Sequence, residues 1–244
     1  MKRVILLAVT VLLSSGMLTA QADEEKTYKI PLIGEKAPSF TAETTNGTLL
    51  FPGDFGRKWK ILFSHPLDFT PVCSSEILEL AAHQKEFDEL NVKLAVISTS
   101  PLDSHKAWKK ALEEIEWKGQ DRMKIKFPLI DDDSRLISRE YGMIHPAIHG
   151  TRSVRGVFII DPDNVIQAIY FYPMNVGRSS EELIRSVKAL QAAKGALMTP
   201  SDWQAGDDMI ISVPPVVDQS DENVPDGYYK KAWFLWYEKA KSGV

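Results

Sequence analysis

The sequence predicts an α/β chain with a mixed central sheet, and three observations predict it. Compact apolar runs of strand length, Trp59–Phe63 and Val92–Ile97, alternate with stretches of helical spacing. Two later runs, Val154–Ile160 and Val165–Tyr172, are joined by Asp161-Pro162-Asp163-Asn164, which has hairpin-turn chemistry. Beyond Gly195 the composition changes to Pro200, Pro214, Pro215 and Pro225 with scattered acids, which cannot continue a doubly covered sheet and reads as a separate extension.

Taken in order, residues 1–22 read as an address. Lys2 and Arg3 form a basic n-region, Val4–Leu13 an apolar h-region, and Ala20-Gln21-Ala22 an A-x-A cleavage site before Asp23. The alternative, an uncleaved anchor, is disfavoured because Ser14, Ser15 and Gly16 interrupt the run well short of the roughly 20 apolar residues a span needs. The first strand after the lead, Trp59–Phe63, runs into a Pro-containing loop from Ser64 to Val72 that delivers Cys73. From Ser74, the positions Ile77, Leu80, Ala81, Gln84, Phe87 and Leu90 follow helical spacing, which puts Cys73 in or beside the first turn of a helix. Helical periodicity returns over Pro101–Ile115. Phe127–Ile130 is a short strand, Ser134 is expected to cap a helix reaching Tyr141, and Ser179–Ala193 is the last helix before the extension. The C-terminal stretch gathers Tyr228, Tyr229, Trp233, Phe234, Trp236 and Tyr237, aromatic surface that suits packing on another subunit or on the chain's own body better than membrane binding.

Composition narrows the function. Removing the leader with Lys2 and Arg3 leaves 27 basic against 33 acidic residues, so a nucleic-acid partner is not expected. One cysteine stands in the whole chain, whereas exported proteins usually carry even numbers paired as disulfides. No intramolecular disulfide can form, so the thiol of Cys73 is inert, paired between chains, or reactive. Five histidines accompany it, but His145 and His149 straddle Pro146 and no metal-ligand spacing is present, so no metal is implied.

The segment Pro66-Leu67-Asp68-Phe69-Thr70-Pro71-Val72-Cys73 carries the pattern P-x-x-x-T-x-x-C, and on it the chain resembles the peroxiredoxins. The likeness is strongest to the one-cysteine type of the AhpC/TSA family. It continues in order through Cys73-Ser74-Ser75-Glu76, Asp131-Asp132, Tyr141-Gly142-Met143, Val154-Arg155, Val157–Pro162, Tyr172-Pro173, Gly177-Arg178 and Thr199–Trp203. The resemblance implies a thioredoxin-like fold with a mixed central sheet flanked by helices, over residues 23–195, and a C-terminal dimerisation extension over 196–244. It implies a thiol-dependent peroxidase that reduces hydrogen peroxide and organic hydroperoxides, with no metal, haem or flavin as cofactor.

Carried over residue by residue, the resemblance makes Cys73 the peroxidatic nucleophile, Thr70 the hydroxyl that hydrogen-bonds the peroxide, and Arg155 the cation that stabilises the thiolate. Pro66 would shield the sulfur, His65 would lie at the pocket wall, and Glu76 with Arg178 would position Arg155. Taken singly, a loop proline is a turn former and a first-turn glutamate a dipole-compensating surface charge; the ordered match lifts them above those readings.

Acidity alone cannot carry such chemistry. A thiol of pKa about 8.5 is roughly 3% ionised at pH 7, so full ionisation gains about 30-fold, and the accompanying loss of nucleophilicity returns about tenfold of it. Alignment of the O–O bond and stabilisation of the leaving oxygen must supply the rest. The resulting sulfenic acid needs an external thiol or protein reductant, because the Trp-Trp-Phe-Cys stretch of some relatives is here Ala232-Trp233-Phe234-Leu235. A second departure is Gly53-Asp54-Phe55-Gly56, where phospholipase-active relatives have a serine, so that activity is not expected. The leader implies export, to a bacterial periplasm; a homodimer or higher homo-oligomer and an antioxidant role follow from the family. A holdase-type interaction protein on the same scaffold is the non-enzymatic alternative, separable by Cys73→Ser.

Overall fold

Alternating burial along the strands sets the layers. In β3 (Trp59–Ser64), Ile61 and Phe63 join one apolar cluster and Leu62 the other, and in β4 (Val92–Ser98) Val92, Leu94 and Val96 separate in the same way from Ala95 and Ile97. A sheet apolar on both faces needs cover on both. The computed structural model, which describes residues 30–212 and 224–240, supplies it. The leader at 1–22, Pro214 and Pro215 lie outside the described residues.

The remaining strands of this sheet are β1 (Phe40–Thr44), β2 (Gly47–Phe51), β5 (Leu129–Asp131), β6 (Arg155–Ile160) and β7 (Ile166–Tyr172). Their order across the sheet is β2-β1-β5-β4-β3-β6-β7. The β3–β4 and β4–β5 pairs are parallel and the others antiparallel, which makes the sheet mixed. Helices α1 (Pro71–Ala82), α2 (Gln84–Glu89), α3 (Leu102–Leu112) and α5 (Ser180–Ala192) contribute Ile77, Phe87, Trp108 and Val187 to the cluster that also holds Cys73. On the opposite face, α4 (Leu136–Glu140) contributes Ile137 beside Phe40, Tyr141 and Phe158. This strand order, with helices on both faces, is the arrangement that the sequence resemblance implies.

Several boundaries differ from the sequence-based expectation. The helix expected from Ser74 to Leu90 is two helices that meet at His83, whose ψ of 2° leaves the helical region. The strand expected at Phe127 begins at Leu129, since Pro128 has no N–H to give to the ladder. Ser134 does not cap α4. Arg135, at φ 62°, turns the chain into the helix, and the buried Asp132 carboxylate accepts the N–H groups of Ile137 and Ser138 at 3.0 and 2.7 Å. Ser179 does cap α5, accepting from Glu182 N at 3.1 Å.

The described part of the extension is structured. Strands β8 (Leu197–Met198), β9 (Met209–Ile211), β10 (Tyr228–Ala232) and β11 (Leu235–Glu238) form a second sheet in the order β10-β11-β9-β8. Within the aromatic stretch, Trp236 is 1% exposed while Trp233 and Phe234, at the β10–β11 turn, are 69% and 68% exposed.

Candidate active site

The site is assembled by the end of β3, the loop after it, the start of α1, and the two strands beyond β3. Buried Ser64 closes β3 by donating to Val154 O at 2.6 Å and accepting from Gly156 N at 2.8 Å, which fixes the start of β6 against it. The loop turns through Phe69 at φ 57° and enters α1 with Thr70 as N-cap and Pro71 next, a position where the missing N–H of proline is no loss. The Thr70 hydroxyl donates to Leu67 O at 2.9 Å and does not cap the helix. The first-turn N–H groups therefore lack a side-chain cap, and the positive end of α1 lies at Cys73, which is fully buried.

Cys73 and Glu76, three residues apart, share a helix face. Across from them, Arg155 at the head of β6 extends Nη1 to Cys73 Sγ at 3.4 Å and to Glu76 Oε2 at 2.5 Å. Its Nε and Nη2 both donate to Met174 O, at 2.8 and 2.5 Å, so the guanidinium is held from two sides. Arg178, between β7 and α5, gives Nε to Glu76 Oε1 at 2.8 Å, Nη2 to Oε2 at 2.9 Å and its backbone N–H to Oε1 at 2.9 Å. It also donates to Gly156 O at 2.9 Å and lies 3.4 Å over the Phe63 ring.

Two buried guanidinium groups thus face one buried carboxylate, a surplus of one positive charge beside the sulfur. A Cys73 thiolate completes the neutrality of the cluster. Burial pulls Arg178 below the usual arginine range, opposed by Glu76 and, to a smaller extent, by negative charge on Cys73.

His65 and Pro66 are both buried. His65 packs on Trp108 with ring centroids 5.0 Å apart, and burial drives it down to about 3, so the ring is uncharged near neutral pH. Neither of its ring nitrogens has a hydrogen-bond partner among the described residues, although Nε2 comes within 3.7 Å of Asp68 Oδ1. Of the predicted residues, Cys73, Glu76, Arg155 and Arg178 are in direct contact, and Pro66 and Thr70 stand on the loop before them. His65 belongs to a second cluster with Asp68 and His105.

That cluster was missed from sequence. The only available signal was the spacing of His105, Trp108 and Leu112, which puts all three on the buried face of α3. Phe55, at the position where serine would be required for phospholipase chemistry, packs edge-on against Phe51 with centroids 5.9 Å apart. A cavity of about 240 Å³ bounded by Leu49, Phe87 and Phe127 contains none of the predicted site residues.

Comparison with known proteins agrees with this geometry. The model of the AhpC/TSA family matches residues 33–169. A peroxiredoxin of Methanosarcina mazei is 44% identical over 86% of this chain and 98% of its own length. One of Thermotoga petrophila is 40% identical with the same two coverages. Among solved structures, a cysteine-to-serine mutant of peroxiredoxin 6 from Arenicola marina is similar with a TM-score of 0.75 at 30% identity, covering 87% of this chain and 99% of that one. A yeast mitochondrial one-cysteine peroxiredoxin, described in terms of thiol resolution through glutathione and thioredoxin systems, gives a TM-score of 0.74 at 35% identity, covering 86% and 99%.

Proposed function

This chain belongs to the AhpC/TSA family and is a thiol-dependent peroxidase of the one-cysteine peroxiredoxin type; from that premise we propose that Cys73 is its peroxidatic nucleophile, held as thiolate by Arg155. The observation that carries the assignment is the single Nη1 of Arg155 that reaches both the sulfur and Glu76. Its contacts occupy four of the five guanidinium N–H groups, and the fifth, on Nη2, is left to meet a peroxide oxygen. Because the Thr70 proton is held by Leu67 O, the Thr70 hydroxyl meets the peroxide as an acceptor of its O–H.

The thiolate attacks one peroxide oxygen, the O–O bond breaks, and the departing oxygen takes a proton to leave as water or alcohol. Sulfur is oxidised to the sulfenic acid. An external thiol condenses with it, releasing water and leaving a mixed disulfide, and a second thiol restores Cys73 while forming the reductant's disulfide. Pro66 keeps water from the sulfur, Glu76 and Arg178 hold Arg155, and His65 forms part of the wall behind the loop.

The finer assignments are hydrogen peroxide and organic hydroperoxides as substrates, homodimerisation through residues 196–244, and export to a periplasm after cleavage behind Ala22. Exposed Trp233 and Phe234 support the second and the leader motif the third. Intact mass of the reduced protein seconds after one equivalent of hydrogen peroxide, with dimedone trapping, tests the site. Stoichiometric labelling at Cys73, slowed by about two orders of magnitude in Arg155→Ala and Thr70→Val, is expected. Labelling at the pace of a free thiol in the unmutated protein would remove the assignment.

A further inference from the structure

Asp68 lies in the loop between β3 and α1, two residues after Pro66 and two before Thr70, with its carboxylate turned away from the sulfur cluster toward α3. His105 Nδ1 faces its two oxygens at 3.0 and 2.9 Å, and Ser104 Oγ donates to Oδ2 at 2.8 Å. The backbone N–H of Asp68 donates to Ser100 Oγ at 3.1 Å, and the other ring nitrogen of His105 lies 3.0 Å from Ile130 O on β5. Asp68, Ser100 and His105 are all buried.

Both His105 nitrogens therefore face acceptors. A ring carrying one proton would set lone pair against lone pair on one side, so the arrangement requires donation from both nitrogens to a carboxylate and a carbonyl, or one proton lent by Asp68. Burial pushes the Asp68 carboxyl up, but the hydrogen bond and charge of His105, helped by His65 and Ser104, bring it below the ordinary carboxylate value. His65, Asp68 and His105 together also have the composition of a metal-binding group. Two ligands on one tetrahedral zinc stand about 3.3 Å apart, however, and the 2.9–3.0 Å between His105 and Asp68 is the distance of a shared proton.

The next residue shows what this bond has to hold. Phe69 adopts φ 57°, a left-handed conformation that a bulky residue rarely takes, and the residue is 59% exposed, so burial of Phe69 cannot anchor the turn. The anchor is on the residue before it.

We propose that Asp68 and His105 are positioning residues for the peroxidase reaction: their buried bond is a clasp that ties the Pro66–Thr70 loop to α3 and β5, keeping the pocket closed over Cys73. The proposal rests on Cys73 being the peroxidatic residue. With the clasp shut, Thr70 and Pro66 are placed for peroxide and the fully buried sulfur is closed to larger reagents. With it released, the loop opens more often, so peroxide reacts more slowly and a bulky thiol reagent faster.

The test measures two rates on the full chain: sulfenic acid formation with hydrogen peroxide, and alkylation of reduced Cys73 by N-ethylmaleimide. Asp68→Asn and His105→Gln are expected to slow the first about tenfold or more and to speed the second by a similar factor. His105→Asn provides the rescue, because its amide nitrogen can stand where Nδ1 stands and bond Asp68, whereas the glutamine amide reaches toward Ile130. It should recover most of both rates. If Asp68→Asn does not fold, the His105→Gln and His105→Asn pair carries the comparison. Equal rates in the unmutated protein and His105→Gln, or an asparagine variant as defective as the glutamine one, would overturn the clasp. Slow sulfenylation of the unmutated protein would instead remove the peroxidatic assignment, and the alkylation rates would still report on the clasp.

Discussion

Two buried polar clusters, one on α1 and one in the loop that leads into it, are satisfied to different degrees. Around Glu76, each of the four lone-pair sites of the carboxylate is taken, by Arg155 Nη1 and by Arg178 N, Nε and Nη2. In the other cluster both Asp68 oxygens and both His105 nitrogens have partners, yet His65 beside them has both ring nitrogens without a partner among the described residues. A saturated charge cluster is a fixed electrostatic device, which a reacting sulfur requires. A cluster with an unsatisfied imidazole at its edge holds the loop but leaves part of its stability exposed to pH.

The largest expected effects come from breaking the saturated side. Glu76→Gln replaces an acceptor of four bonds by an amide whose NH₂ must face guanidinium donors, leaving two buried cations with only the Cys73 thiolate as counter-charge. A loss of about 3–5 kcal/mol is expected in denaturant unfolding. Coupling should show in a double-mutant cycle, where adding Arg178→Met to Glu76→Gln recovers part of that loss; strict additivity would mean that the carboxylate does not hold the arginine. Arg155→Ala should slow sulfenic acid formation by about 10²–10³-fold, as for loss of one preorganised donor, and Arg155→Lys should restore little because an ammonium cannot reach sulfur, Glu76 and Met174 O together. Stopped-flow tryptophan fluorescence would check both.

How much of this was legible in the sequence divides along the same line. The spacing from Pro66 to Cys73, the strand before it and the first turn of α1 are local features; helix geometry puts Glu76 on the face of Cys73, but only the ordered resemblance gave it a role. Arg155 and Arg178 were found only because an ordered resemblance named them, since nothing local marks either as buried. Asp68 and His105 are 37 residues apart, and nothing local says that an aspartate in a loop and a histidine on a helix will meet. The same limit explains α4. Ser134 carries the better cap signature, but tertiary burial of Asp132 let a carboxylate take the N–H groups instead. In the extension, strands as short as Leu197–Met198 show no period at all, so the second sheet was read only as a change of composition.

The less satisfied cluster should respond to acid. His65 is held down to about 3 in the folded chain, mainly by burial, against about 6.5 when unfolded. Above pH 6.5 both states keep the ring neutral and its contribution is fully present. As pH falls from 6.5 toward 3 the unfolded chain takes up a proton that the folded chain refuses, so stability is lost progressively across that window. Between pH 6.5 and 4.5 the loss assigned to His65 is about 2–3 kcal/mol. Denaturant midpoints at the two pH values should show it, with a flatter dependence in His65→Gln. An equal pH slope in that variant would mean that His65 finds a proton partner in solution.

The smallest effect tests where the hydrogen bonds of the second cluster cease to matter. Ser104 donates to Asp68 from a half-exposed position, in contrast to the buried His105 on the same carboxylate. In Ser104→Ala water can replace the lost donor, so a change of about 1 kcal/mol or less is expected, below the range for a bond to a fully buried charge. Thermal unfolding at neutral pH would measure it as a shift of about 2–4 °C or less for a chain of this size. A loss near 3 kcal/mol would show that Asp68 depends on Ser104 as heavily as on His105, and the loop would then be held by α3 through two equivalent bonds instead of one dominant bond.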